Sequence, residues 1–188
     1  MDKKSGWAVT PQRIVVNKNG KSTDSRPPGA YEILIVCTGN ICRSPMAAGL
    51  LAHLLPPQLK HVVTVGSAGT NALHGHQAAP HAVQTMAEEG IDISAHRARQ
   101  VSNDLVRPAD LILTMERFHQ NAVRQMILWN RARVRMLTEY DRDQILQDIP
   151  DPYGEPLKHY RVSLSVMRPC IEKVADWLVT NSLITEQQ

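Results

Sequence analysis

Short continuous apolar runs alternate with helix-patterned stretches between residues 31 and 178, and this alternation restricts the fold more than any other feature of the chain. Ile33-Leu34-Ile35-Val36 is apolar at every position rather than every second one, which reads as a strand covered on both faces. Residues 61–65, 111–113 and 134–137 read as three further strands. Between the first two, Ser44-Pro45 reads as an N-cap followed by proline in the first turn. Met46, Ala47, Leu50, Leu51, Leu54 and Leu55 then follow at helical spacing until Pro56-Pro57. Residues 80–89 predict a second helix stopped by Gly90, residues 116–129 a third, and residues 157–178 a last one. Pro169 lies inside that last pattern, where proline costs about 3 kcal/mol, so a kink or two shorter helices are expected. Strands alternating with helices predict an α/β fold in three layers, a parallel sheet with helices on both faces.

In such sheets ligands bind beyond the carboxyl ends of the strands. The loop after Val36 is therefore the first place to look for chemistry. It reads Cys37-Thr38-Gly39-Asn40-Ile41-Cys42-Arg43-Ser44-Pro45. A loop between a strand and a helix N-terminus can aim several backbone N–H groups at one point and hold an anion. Gly39 permits a tight path, and Asn40 tolerates a left-handed backbone. Arg43 offers a planar fork for two phosphoryl oxygens. Ser44 can cap the helix and also direct its hydroxyl at the Cys37 sulfur. This positive potential predicts a Cys37 thiol below its ordinary value of about 8.5, a nucleophile at neutral pH. An arginine six residues after a cysteine means little alone. The preceding strand, the Gly-Asn pair and the helix-opening Ser-Pro make the combination specific, against the alternative of an ordinary turn with two buried structural cysteines.

Composition narrows the classes. The 188 residues suit one domain, and aromatics at 4 % leave the core to Leu, Ile, Val, Ala and Met. Residues 31–182 are expected to form that domain, with 183–188 as a C-terminal tail. Residues 1–30, rich in Lys, Ser, Asn and Gly, read as a flexible extension, although Ile14-Val15-Val16 could add a strand. Three cysteines, Cys37, Cys42 and Cys170, argue against a disulfide framework and for a reducing, cytoplasmic setting. No C-x-x-C pair suggests zinc, and His74-Gly75-His76 reads as a solvated loop. The net charge of +3 suits an anionic substrate but falls short of a nucleic-acid footprint. No apolar run approaches the roughly 20 residues that span a bilayer, so no membrane insertion is expected. His96-Arg97-Ala98-Arg99 reads as a solvated basic face, or failing that a docking surface for a phosphoprotein.

The run Cys-Thr-Gly-Asn-Ile-Cys-Arg-Ser-Pro-Met-Ala resembles the phosphate-binding loop of the bacterial low-molecular-weight protein tyrosine phosphatases. Gly66-Ser67-Ala68-Gly69-Thr70, Ala109-Asp110-Leu111-Ile112-Leu113-Thr114-Met115 and Asp151-Pro152-Tyr153-Gly154 extend the likeness over residues 31–178. The resemblance implies a four-stranded parallel sheet in the flavodoxin-like order 2-1-3-4. It also implies a cofactor-free phosphatase in which Cys37 attacks phosphorus and forms a cysteinyl-phosphate. Arg43 and the loop residues Thr38, Gly39, Asn40, Ile41, Cys42 and Ser44 would bind the phosphoryl group and steady the loop. Asp151 would protonate the departing oxygen and then activate water, and Tyr153 would wall the pocket. Because Asp151 must carry a proton while Cys37 is a thiolate, the rate should peak on the acidic side of neutral. Cys42 could trap an oxidised Cys37 as a reversible disulfide, or serve as a buried filler. The implied partners are a phosphorylated protein, a bacterial tyrosine kinase among the candidates, and oxyanion inhibitors in the loop.

Two departures from the family pattern stand out, and the first leaves the chemistry untouched. Ala48-Gly49 replaces a better helix former, at about 1 kcal/mol for the glycine. Thr38 is the residue that marks a phosphoarginine-hydrolysing branch of the family. The Tyr of Asp151-Pro152-Tyr153, and the segment 124–177, resemble instead the tyrosine phosphatases of polysaccharide-export operons. The balance favours phosphotyrosine, with arginine phosphatase as the alternative. An arsenate reductase would need further redox cysteines than Cys170, and a non-catalytic phosphate-binding module would have no use for Asp151.

Overall fold

The computed structural model describes residues 30–127, 133–141, 143 and 148–185. The expectations for residues 1–29, for 128–129 of the third helix and for 186–188 of the tail lie outside the described residues. Four strands, β1 (Tyr31–Cys37), β2 (Val63–Gly69), β3 (Leu111–Thr114) and β4 (Arg133–Met136), form one parallel sheet in the order β2-β1-β3-β4. The helices are α1 (Arg43–Leu54), α2 (Pro80–Glu88), α3 (Asn103–Val106), α4 (Arg117–Met126) and α5 (Leu157–Thr185). A 3₁₀ turn at Leu137–Tyr140 follows β4.

β1 organises both layers. Its odd-numbered residues Ile33, Ile35 and Cys37 pack with Met46, Leu50 and Leu51 of α1, Met86 of α2 and Met167 and Ile171 of α5. Its even-numbered Leu34 and Val36 pack on the other face with Val106 of α3 and Val123 of α4. Two apolar faces on one strand require the uninterrupted apolar run seen in the sequence. Full burial of each such side chain stabilises the fold by roughly 1.5–3 kcal/mol.

Several boundaries differ from the expected ones. α1 starts at Arg43 with Cys42 as its N-cap, so Ser44 lies inside the first turn and caps nothing. Its hydroxyl is taken by Cys37 and Asn40 instead. β2 runs over residues 63–69 rather than 61–65, because pairing with β1 along its whole length carries the strand through Gly66 and Gly69. α5 passes unbroken through Pro169 to Thr185 rather than dividing there. Met167, Cys170 and Ile171 beside the proline are fully buried, and that packing holds the helix across the missing hydrogen bond.

Two glycines are there for space. A Cβ on Gly49 would lie 2.8 Å from Cγ2 of Ile93, so the helix-propensity cost of Gly49 is the condition for α1 to lie against the 91–93 segment. A Cβ on Gly69 would lie 2.3 Å from the carbonyl oxygen of Thr38 and 3.0 Å from the amide nitrogen of Asn40. Gly69→Ala is therefore expected to destabilise the protein by about 1–3 kcal/mol. Urea unfolding reads the loss, and backbone amide shifts should place the displacement at Thr38 and Asn40. Wild-type stability with unmoved amides would mean that the loop yields freely.

Candidate active site

The turn from β1 into α1 is held open from outside. The carbonyls of Cys37, Thr38, Gly39 and Ile41 accept the amides of Thr70, Asn71, Leu73 and Ala79 at 2.8–3.1 Å. With these acceptors occupied, amides of the loop face inward, and those of Asn40 and Ser44 donate to the Cys37 sulfur. The Ser44 hydroxyl lies 2.9 Å from the same sulfur.

Asn40 fixes the turn. Its φ of 55° makes it the only non-glycine with positive φ among the described residues. Its side-chain amide donates to Ser44 Oγ (2.8 Å) and Ser67 Oγ (2.9 Å), and its Oδ1 accepts the Arg99 amide (2.9 Å). His96 Nε2 donates to its carbonyl oxygen at 2.7 Å. The cluster 96–99 is accordingly not a solvated face. His96 and Arg99 are half-buried struts of the loop, and only Arg97 between them is exposed among the three.

Arg43 is 1 % exposed, and its guanidinium ties distant segments to the loop. Nη1 pairs with Glu116 and donates to the Ile149 carbonyl at 2.9 Å, while Nη2 pairs with Asp151 Oδ2. The other oxygen of Asp151 accepts the Tyr153 amide at 3.2 Å. A cavity of about 160 Å³ opens here, with Cys37 and the loop at its base and Asp151, Tyr153 and Leu73 around it. Tyr153 is 63 % exposed, a rim rather than an enclosing wall. Cys42 is buried, its sulfur 3.5 Å from the Tyr160 hydroxyl, and Cys170 belongs to the core beneath α5. His74 and His76 are exposed, and no described group of three His, Cys, Asp or Glu residues could hold a metal ion.

The expected depression of the Cys37 thiol is not what the surroundings produce. Burial pushes it above its ordinary value, and the Ser44 hydroxyl and amide, Arg43 and the Asn40 amide oppose this only in part. Burial is the largest influence, and Arg43, which also pairs with Glu116 and Asp151, still lowers the thiol. The sequence showed the donors but not how deeply the sulfur is buried.

His119 went unnoticed in the sequence, where nothing distinguishes it from other helical histidines. It is fully buried on α4, its Nε2 lies 2.9 Å from Thr38 Oγ1, and its Nδ1 has no partner among the described residues. Burial, aided by Arg43, pushes it down to about 3. The folded value lies below the unfolded one, so stability from neutral His119 is complete above about pH 6.5 and is lost as pH falls toward 3. His119→Gln, which keeps a group able to reach Thr38, should flatten the stability–pH slope between pH 6 and 4 by about 1.4 kcal/mol per unit, one proton's worth. An unchanged slope in urea titrations would assign the acid sensitivity elsewhere.

The family model for low molecular weight phosphotyrosine protein phosphatase matches residues 32–186. A probable low molecular weight protein-tyrosine-phosphatase, EpsP of Ralstonia nicotianae, is 43 % identical over 136 residues, which cover 72 % of this chain and 88 % of the relative. The YwlE arginine phosphatase of Geobacillus stearothermophilus is 35 % identical with a TM-score of 0.72, over 81 % of this chain and 96 % of that one. The tyrosine phosphatase Wzb of Escherichia coli K30, solved in complex with sulphate, is 28 % identical with a TM-score of 0.69, over 78 % and 97 % respectively.

Proposed function

The chain belongs to the low molecular weight phosphotyrosine protein phosphatase family, and on that premise we propose that it hydrolyses phosphotyrosine in a phosphorylated protein through a cysteinyl-phosphate on Cys37. The observation that carries this reading is the position of Arg43. One guanidinium is anchored by Glu116 and the Ile149 carbonyl on one nitrogen and reaches the Asp151 carboxylate with the other, beside the Cys37 sulfur. A phosphoryl group entering above Cys37 would meet nucleophile, cation and acid together.

In the proposed sequence Cys37 gives up its thiol proton to solvent and attacks phosphorus as the thiolate, in line with the leaving oxygen. Arg43 and the loop amides carry the charge of the three equatorial oxygens. Asp151 gives its proton to the departing phenolate, then draws one from the water that frees phosphate. Thr38, Gly39, Ile41 and Cys42 contribute the cradle, Asn40 and Ser44 hold its shape, and Tyr153 offers its ring to the substrate's. No metal ion or cofactor takes part in this scheme. The E. coli K30 phosphatase was solved in complex with sulphate, which supports oxyanions as ligands. The domain assignment proposed is 31–182, with 1–30 and 183–188 as extensions. The cytoplasmic setting proposed here is supported by three unpaired thiols. No helix among the described residues is long and apolar enough to cross a membrane.

Thr38 favours a second reading, phosphoarginine as substrate. The protein-arginine-phosphatase of G. stearothermophilus supports it, at 35 % identity over 97 % of that relative. Matched phosphotyrosine and phosphoarginine peptides, with Cys37→Ser as the blank, decide between them. A phosphotyrosine preference of about tenfold or more is expected. The reverse preference would overturn the substrate and keep the chemistry. Activity on neither would leave a phosphate-binding module.

A further inference from the structure

The cavity at Cys37 is not the only one among the described residues. A cavity of about 360 Å³ lies behind the phosphate loop, between α1, the exposed edge of β2 and the 92–99 segment. Its volume is within the range of small-molecule sites. Ala48, Val65 and Ile93 supply an apolar wall, and His96, Arg97 and Arg99 a polar one. Asp92 also lines it, its Oδ1 accepting the Ser94 amide at 2.8 Å.

Arg99 is the informative residue. Its guanidinium lies across β2 at Gly66, with Nη2 2.7 Å from where a Cβ would stand. Its Nε donates to the Ser67 carbonyl at 2.8 Å, and it forms no ion pair with a carboxylate among the described residues. A half-buried guanidinium that makes no ion pair, with the Glu32 charge acting on it only from beyond pairing distance, is complementary, beside apolar surface, to an anion carrying an apolar body. Arg97, exposed at the rim, adds a second cation, its Nη1 resting on the Ser94 and His96 carbonyls.

The same residues reach the catalytic loop from behind. Of the four hydrogen bonds on the side chain and carbonyl of Asn40, three are made with cavity-lining residues: one donated to Ser67 Oγ and two accepted from His96 and the Arg99 amide. The fourth goes to Ser44, whose hydroxyl touches the nucleophile.

We propose that this cavity is a second ligand site, for a small organic carboxylate with an aromatic or branched apolar body, and that its occupancy alters turnover by shifting Asn40. The carboxylate would pair with Arg99 and Arg97 while the apolar body fills the space against Ala48, Val65 and Ile93.

The probe is 2-naphthoate, with uncharged 2-naphthylmethanol as control, on the full chain. Binding is read from backbone amide shifts in the Cys37→Ser protein, which needs no turnover and so stands apart from the proposed phosphatase reaction. Turnover of p-nitrophenyl phosphate is read in parallel on the unsubstituted protein. Saturable shifts at Gly66, Ser67 and Arg99 are expected, extending to Asn40, together with a change in kcat of about fivefold, the low end for coupled sites. Ala95→Trp, which fills the cavity from an exposed position, and Arg97→Ala should each weaken binding by about tenfold or more while leaving basal turnover intact. Equal binding of the alcohol, binding indifferent to both substitutions, or no shift at all would overturn the site. Inhibition purely competitive with p-nitrophenyl phosphate would place the probe at Cys37 and overturn it as well. Binding with Asn40 and kcat unmoved would overturn the coupling.

Discussion

Cys37→Ser is expected to lower phosphotyrosine hydrolysis by on the order of 10⁴-fold or more while leaving fold and phosphate affinity in place. The substitution changes one atom at a site 2 % exposed, at the end of a strand whose neighbours hold it by packing and backbone pairing. Ser44 and the amides of Asn40 and Ser44 would still find an acceptor there. What is lost is the more easily ionised nucleophile, because a serine hydroxyl ionises far less readily than the thiol and the donors there do not outweigh burial even for the thiol. The measurement has two arms. Turnover of a phosphotyrosine peptide should vanish into the blank, and isothermal titration with inorganic phosphate should give an affinity within a few-fold of wild type. Rapid mixing of the wild-type protein with p-nitrophenyl phosphate should show a burst of phenolate equal to the enzyme, the mark of a covalent intermediate. Residual activity above one hundredth of wild type in Cys37→Ser would remove the sulfur from the reaction.

The contrast between that loop and its supports shows what a sequence exposes. β1 and the turn after it were legible because their determinants are contiguous. An apolar run at every position has few solutions other than a two-sided strand, and Gly39, Asn40 and Arg43 lie within seven residues of the cysteine. The partners of those residues are remote in sequence. Glu116 is 73 positions from Arg43, His119 is 81 from Thr38, and Arg99 is 59 from Asn40. No local period marks any of them. His96-Arg97-Ala98-Arg99 looked like solvated charge because composition reports charge and not orientation, and it is the sheet edge that turns His96 and Arg99 under the loop. The same blindness explains Cys37, where the donors were visible and the burial that outweighs them was not. β2 was placed two residues early at its start and four short at its end, because its glycines read locally as strand breakers while pairing with β1 overrides that preference.

Asp151→Asn tests the acid, and its signature should be dependence on the leaving group rather than a uniform loss. Hydrolysis of a phosphotyrosine peptide, whose phenolate needs a proton to depart, should fall by about 10²–10⁴-fold. A highly activated aryl phosphate leaves without help, so its rate of phosphoryl transfer to Cys37 should fall far less. A purely positional role predicts otherwise. In the structure both oxygens of Asp151 are engaged, Oδ2 with Arg43 and Oδ1 with the Tyr153 amide, so an asparagine must turn its nitrogen toward a donor on one side or the other. That disturbance would affect every substrate alike, and Asp151→Glu would not relieve it selectively. Equal losses on good and poor leaving groups would take the acid role from Asp151. They would leave the carboxylate as a brace for Arg43, and another group would have to protonate the leaving oxygen.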